Sequence, residues 1–230
     1  MGGSSGGRAA IVVMAKAPRP GEVKTRLSPA LSPIDAAALS RCFLLDTVAL
    51  ARRLDRVVVA IAYTPSDARA VFEETCPGVF LVPQWGDDLG ARLAGAFEQL
   101  FALGFASVVA LGADTPTLPL AYLETALALV RDPRVDVVLG PSADGGYYLI
   151  GMRALHRALF EDIPWSTGRV FAETLRRTER AGITTACLAS WRDVDTVEDL
   201  RALEAALRGS DGGTARETRR FLAARAGGSR

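Results

Sequence analysis

The chain has 230 residues, about half of them apolar, and 27 lysines and arginines stand against 26 acids for a net charge of +1. This composition excludes a disordered chain, and the near-neutral balance excludes a global electrostatic pull toward nucleic acid or an anionic membrane. The cysteines, Cys42, Cys76 and Cys187, are far apart and form no CxxC pair, so neither a disulfide framework nor a zinc site is expected and a cytoplasmic setting is implied.

No apolar run approaches the roughly 20 residues that span a bilayer. The opening "MGGSSGG" lacks the basic and apolar parts of a signal peptide and reads as a flexible leader over 1–8. "AIVVM" (10–14) is a continuous apolar run, as expected of a strand covered on both faces. A basic, proline-bent segment follows it, "AKAPRPGEVKTRL". In "SPIDAAALSRCFLLDTVALARRLD", Ser32 is placed to cap a helix, Pro33 to take its first position and Asp35 to favour its dipole.

"RVVVAIAY" reads as a second strand, "PSDARAVFEE" as a short helix and "GVFLVPQ" as a third strand. "LGARLAGAFEQLFALG" keeps Leu89, Leu93, Phe97 and Leu100 on one helical face, and Gly104 ends it. "SVVALGAD" is a fourth strand ending on Asp114, and "TLPLAYLETALALV" a helix that Thr117 is placed to cap. "VDVVLGPS" and "GGYYLIGM" read as strands around a turn. "RALHRALF", which holds the lone His156, has a helical pattern between two arginines and reads as structural. Then follow a helix in "GRVFAETLRRTERAG", a strand in "ITTACLA" and a helix in "TVEDLRALEAALRG". One domain over 9–208 is expected, with a polar tail over 209–230 that either carries one short basic helix or frays.

Strand alternating with helix implies an α/β fold with a mainly parallel sheet between helical layers. Ligands in such sheets lie beyond the carboxyl ends of the strands. Two loops meet that condition. The first carries Lys16, Arg19, Lys24 and Arg26 with Gly21 as pivot, a set of cations suited to phosphate oxygens; it also reads as a solvated turn. It is neither a Walker A loop nor a dinucleotide fingerprint. The second places the carboxylate of Asp114 at a strand exit, where a hard cation can be shared with phosphate.

Other clusters are open to more than one reading. Asp144, Gly145 and Gly146 make a turn where backbone can approach a ligand, and equally a plain hairpin; Tyr147 and Tyr148 alternate faces, so one ring is expected toward the cleft. "WRDVDTVEDL" offers Asp195 either as a helix cap or as a second metal-holding carboxylate near Asp114. Gln84, Asp88 and Arg92 follow the third strand, as ligand contacts or as a helix start. Trp165 is a core anchor or a stacking platform, with Ser166 and Thr167 beside it.

Taken in order, "AKAPRPGEVKTRL", "QWGDDLGARL", "LGADTPTLP", "DGGYYLIGM", "IPWST" and "DVDTVEDL" resemble the DUF2064 family, the group also labelled transferase 1, rSAM/selenodomain-associated, some of whose members carry an arsenosugar glycosyltransferase label. The resemblance runs from about Ile11 to Leu207. It implies a branch of the GT-A, nucleotide-diphospho-sugar transferase superfamily close to MobA-like and CofC-like nucleotidyltransferases, with a three-layer α/β/α sandwich around a mixed, mainly parallel sheet. By that resemblance Lys24 and Arg26 match the basic end of the phosphate loop, and Asp114 and Asp195 match the pair that holds magnesium or manganese. Two departures stand out: the loop opens Ala15-Lys16 in place of a glycine pair, and the acidic site is "ADT" rather than DxD.

The expected activity is magnesium-dependent transfer of a nucleoside monophosphate from a triphosphate to a small phosphorylated or phosphonylated acceptor. Lys16, Arg19, Gly21, Lys24, Arg26, Gln84 and Arg92 are expected on the nucleotide. Asp88, Asp144, Gly145, Gly146, Tyr147, Trp165, Ser166 and Thr167 are expected on the acceptor. The alternatives are glycosyl transfer from a nucleotide sugar, with Asp144 as base, and a non-catalytic nucleotide-binding module. No nucleic-acid or membrane partner is expected, and a homodimer is left open.

Overall fold

The structure is a computed structural model that describes residues 7–209 and 213–228. Most of the leader read over 1–8 therefore lies outside the described residues. A seven-stranded sheet runs in the order β3-β2-β1-β4-β6-β5-β7. Its strands are β1 (Ala9–Lys16), β2 (Val57–Thr64), β3 (Phe80–Pro83), β4 (Ser107–Gly112), β5 (Val137–Pro141), β6 (Tyr147–Met152) and β7 (Thr185–Cys187). The helices are α1 (Pro33–Ala51), α2 (Arg69–Thr75), α3 (Leu89–Ala102), α4 (Leu120–Arg131), α5 (Val170–Arg180), α6 (Val197–Arg208) and α7 (Arg216–Gly228).

β1 pairs in parallel with β2 and β4, β2 with β3, and β5 with β7, whereas β6 runs antiparallel to both β4 and β5. The mixed, mainly parallel sheet between helical layers is the architecture expected from the sequence. β1 shows why its apolar run is continuous: Ala10 and Val12 join a core layer with α3, while Ile11 packs toward α4 and Val13 toward α1 and α2. Both faces are covered, so the run Ala9–Val13 is buried at every position rather than at every second one.

Local side-chain caps account for the starts of α1 and α3. Ser32 accepts the Asp35 amide at the start of α1 with Pro33 in its first turn, and Asp88 accepts the Ala91 amide at the start of α3. Two expectations fail. α4 begins after Pro119, not at Thr117. Pro119 pushes Leu118 out of the helical region and Leu118 closes a separate turn on the Thr115 carbonyl, so Thr117 caps nothing. The His156 segment forms only a 3₁₀ turn at Arg157–Leu159. After β6 the Arg153 guanidinium reaches back to the Pro133 and Val135 carbonyls, which ties down the chain where a helix would have to start.

Of the two alternatives for the end of the chain, a short basic helix and fraying, the described residues show the helix. α7 is a 13-residue helix that lies across α1. Asp46, buried on α1, accepts the backbone N–H groups of Glu217 and Thr218 and the Thr218 hydroxyl, so it caps α7 from another element. Phe221 and Leu222 then pack on a fourth apolar cluster that joins Leu27 of the basic loop, Phe43 of α1, Val194 of the segment before α6, and Leu203 of α6. That cluster draws the basic loop and the segment before α6 to the same corner of the sheet.

Candidate active site

The carboxyl ends of β1 and β4 and the tip of the β5–β6 hairpin share one edge of the sheet. Beyond β7 the chain continues along the same edge, where Leu188 and Trp191 donate to the Leu139 and Pro141 carbonyls and Ala143 donates to Trp191. The Asp193–Asp195 segment is thereby delivered next to the exit of β4, and Val194 donates its amide to the Asp114 carbonyl at 3.1 Å. In this extended stretch Val194 points into the core, 4 % exposed, so the residues on either side of it point outward.

The basic loop turns on Gly21, whose φ of 80° suits glycine. Val23 and Leu27 anchor it, being 8 % and 0 % exposed. Lys24 lies between them in the left-handed region, with φ 50° and ψ 35°. Its ammonium donates to Asp195 Oδ1 and the Val194 carbonyl, each at 2.8 Å, and stands 2.7 Å from Asp114 Oδ1. The Lys24 side chain is 5 % exposed. Burial acts to lower its pKa, but the charges and hydrogen bonds of Asp114 and Asp195 outweigh burial and leave it raised. Lys24 is therefore a fixed cation between two carboxylates.

A cleft of about 280 Å³ opens on this triad; Lys16, Glu22, Arg26 and Ser40 also line it. Lys16 donates to the Glu22 carbonyl at 2.9 Å, and Arg26 is exposed with no ion-pair partner among the described residues. Arg19 is not brought to the cleft: its guanidinium faces Asp67 at 3.2 Å on the far side of the loop. Gln84 donates to the Ala62 carbonyl at 2.7 Å and braces strand ends, Asp88 caps α3, and the Arg92 Nε donates to the Gly86 carbonyl at 3.0 Å. Each of these three has a structural task and lies outside the cleft lining.

Asp144 accepts from the Ser142 hydroxyl and, at 2.9 Å, from the Gly146 amide, so the DG stretch is a hairpin turn with its carboxylate tied locally. Gly145 has φ 88°, and an added Cβ would lie 2.2 Å from the Gly168 carbonyl oxygen, so the turn packs directly on the 163–170 loop. Neither tyrosine ring lines the cleft. Tyr147 packs edge-on to Trp165 in the α3 layer, and Tyr148 faces the other layer, donating to the Ala189 carbonyl at 3.1 Å. Trp165 is thus a core anchor, while Ser166 is exposed and Thr167 donates to the Pro164 carbonyl at 2.6 Å.

One acid was not singled out by sequence. Asp193 sits among like charges and its pKa is pushed up to about 6, first by burial, then by Asp144, Asp195 and Asp114. The signal was present: in Asp193-Val194-Asp195 a core residue lies between two acids, and strand alternation sends both acids to one side. Asp195 itself is not the helix cap. Thr196 is, in a capping box with Asp199, which frees the Asp195 carboxylate for Lys24.

A family described as an uncharacterized protein conserved in bacteria, DUF2064, matches residues 47–167. A 2-phospho-L-lactate guanylyltransferase of Methanothermobacter thermautotrophicus is 32 % identical over 185 residues, covering 77 % of this chain and 76 % of the relative. The chain belongs to the DUF2064 family. The matched span is shorter than the stretch from Ile11 to Leu207 read from the motifs; the basic loop and the Asp195 segment flank it. A crystal structure from Desulfovibrio desulfuricans G20, named for the nucleotide-diphospho-sugar transferases, superposes with a TM-score of 0.86 at 33 % identity and covers 94 % of both chains. A cytidylyltransferase of Leptospira borgpetersenii shares the fold, with a TM-score of 0.55 at 14 % identity over 96 % of this chain and 95 % of that one. These relatives of the DUF2064 chain are transferases. Among the described residues no helix is long and apolar enough to cross a membrane.

Asp114 and Asp195 also pass a chemical test for a divalent cation. Their oxygens already close around one cation, and hard carboxylate oxygens are the donors magnesium prefers. No group of three or more ligating side chains forms among the described residues. Two carboxylates with substrate phosphates completing the shell is the usual arrangement for magnesium in nucleotide enzymes.

Proposed function

We propose that this chain is a nucleotidyltransferase: it moves a nucleoside monophosphate from a triphosphate to a small phosphorylated acceptor and releases pyrophosphate. The observation that carries the reading is the convergence of Lys24, Asp114 and Asp195 on one cleft lined by Lys16 and Arg26. A triphosphate and its departing pyrophosphate are the most highly charged ligands such a cleft would meet. The relative named for guanylyl transfer to 2-phospho-L-lactate supports the same chemistry and points to a phosphorylated 2-hydroxy acid as acceptor and guanine as base.

In this reading an acceptor phosphate oxygen attacks the α-phosphorus, the bond from that phosphorus to the bridging oxygen breaks, and pyrophosphate leaves with the electron pair. No protein nucleophile is required. Arg26, exposed and without an ion-pair partner among the described residues, meets the departing phosphates, and Lys16 offers a second cation from the same loop. Asp114 and Asp195 would hold magnesium or manganese, which when bound supplies charge neutralisation on phosphate oxygens. Positioning and electrostatics provide the rate, as is general for phosphoryl-type transfer. In this reading the acceptor approaches from the side of the edge that carries Asp144, on the β5–β6 hairpin.

The test is a panel of phosphorylated hydroxy acids with each nucleoside triphosphate and magnesium. Pyrophosphate should appear, and Lys24→Ala should reduce its rate at least a hundredfold. Release of a nucleoside diphosphate from a sugar nucleotide, with no pyrophosphate from any triphosphate, would overturn this reading in favour of glycosyl transfer, which the Desulfovibrio relative's name favours.

A further inference from the structure

The Lys24 ammonium has three N–H donors and three acceptors around it: Asp114 Oδ1 at 2.7 Å, Asp195 Oδ1 at 2.8 Å and the Val194 carbonyl at 2.8 Å. Its hydrogen-bonding capacity is complete. A divalent ion shared by Asp114 and Asp195 needs the same two carboxylates, and a second cation among them would meet the ammonium at short range in a half-buried site. Lys24 cannot simply step aside. The remaining acid that lines the cleft, Glu22, already faces Lys16 at 3.8 Å, so it is not a ready counter-charge for a displaced ammonium. A polyphosphate entering the cleft changes this, because it brings anionic oxygens for the ammonium at the moment the carboxylates are given up. The anchors Val23 and Leu27 can stay in place while the side chain swings.

We propose that Lys24 is a resident counter-cation of the Asp114–Asp195 pair, which must be exchanged for the divalent ion, so that metal and nucleoside triphosphate bind as one cooperative event and metal alone binds poorly. The inference rests on the reading of Asp114 and Asp195 as the cation-holding pair and adds to it an order of binding. The coupling expected between the two ligands is on the order of tenfold to a hundredfold in affinity.

The test uses the full chain and manganese as probe, with free manganese followed by electron paramagnetic resonance. Wild type should bind manganese alone weakly. Lys24→Met and Lys24→Gln, two neutral replacements of similar length, should bind it at least tenfold more tightly. Manganese alone should also raise the melting temperature of both variants while leaving wild type almost unmoved. A measurement on wild type alone guards against variants that fold poorly: the Lys24 ammonium signal in 15N-lysine NMR should stay in place with magnesium alone and shift with magnesium plus GTP. If wild type binds manganese as tightly as the variants, or magnesium alone shifts the Lys24 signal, the exchange does not occur and nucleotidyl transfer is left untouched. If no form binds manganese, the exchange and the cation pair both fall.

Discussion

Lys24 and Asp195 are 171 positions apart in the chain, yet the lysine Nζ lies 2.8 Å from the aspartate Oδ1. The contact closes the site, because Asp114 reaches the same nitrogen from the exit of β4. It depends on the apolar cluster beneath it. Leu27 and Val194, near neighbours of the two charged residues, pack into one core with α1 and α6.

Charge removal here should cost stability as well as activity. Asp114→Asn or Asp195→Asn leaves the buried ammonium one carboxylate, and each should destabilise the chain by about 1–2 kcal/mol. The double variant strips the ammonium of counter-charge and should lose about 3 kcal/mol or more. Urea unfolding at neutral pH gives these differences. Adding Lys24→Met to the double variant should restore much of the loss, since the orphaned charge is then gone.

Asp193 should make the protein less stable as the solution becomes less acidic. Its folded pKa, about 6, lies above the ordinary carboxylate value, so folding favours the protonated form. The penalty for ionising it is absent below about pH 4 and grows through the interval up to pH 6. Above that it is fully present. Asp193→Asn should therefore raise the melting temperature at pH 7.5 and leave it unchanged at pH 4. Melting curves across that range decide it, and an equal gain at both pH values would show that ionisation of Asp193 is not the cause.

Asp46 should hold the end of the chain. Asp46→Ala removes the acceptor for two amides and a hydroxyl at the start of α7, and should destabilise the protein by about 2–3 kcal/mol. Limited proteolysis should then cut first between α6 and α7. Nucleotide binding should survive, because Asp46 lies outside the cleft lining.

Much of this was legible from residue order. β1 declared itself by an unbroken apolar run, α1 by Ser32-Pro33, and the edge carrying the site by Asp114 at a strand exit. The pairing of Asp114 with Asp195 came from family resemblance, since no local rule joins positions so far apart. What stayed hidden depends on tertiary partners. Arg19 faces Asp67, a partner 48 positions away that residue order does not display. Gln84 and Arg92 offered polar groups whose partners are backbone carbonyls, which a sequence does not display. For the tail, residue order left a short basic helix and fraying equally open, because the carboxylate that caps α7 sits on α1. Lys24 read as a free phosphate-binding cation, and its enclosure by two acids is visible only once the loop and the Asp195 segment share a corner.

The most direct test of the central claim follows the α-phosphorus. The chain is incubated with magnesium, a phosphorylated 2-hydroxy acid and GTP labelled with 32P at the α position, in parallel with a sugar nucleotide labelled at the same atom. The account predicts that the label from GTP moves onto the acceptor with one pyrophosphate released per transfer, and that Asp114→Asn and Asp195→Asn abolish the movement. Label that stays on a nucleoside diphosphate freed from the sugar nucleotide, with GTP left intact, would contradict it.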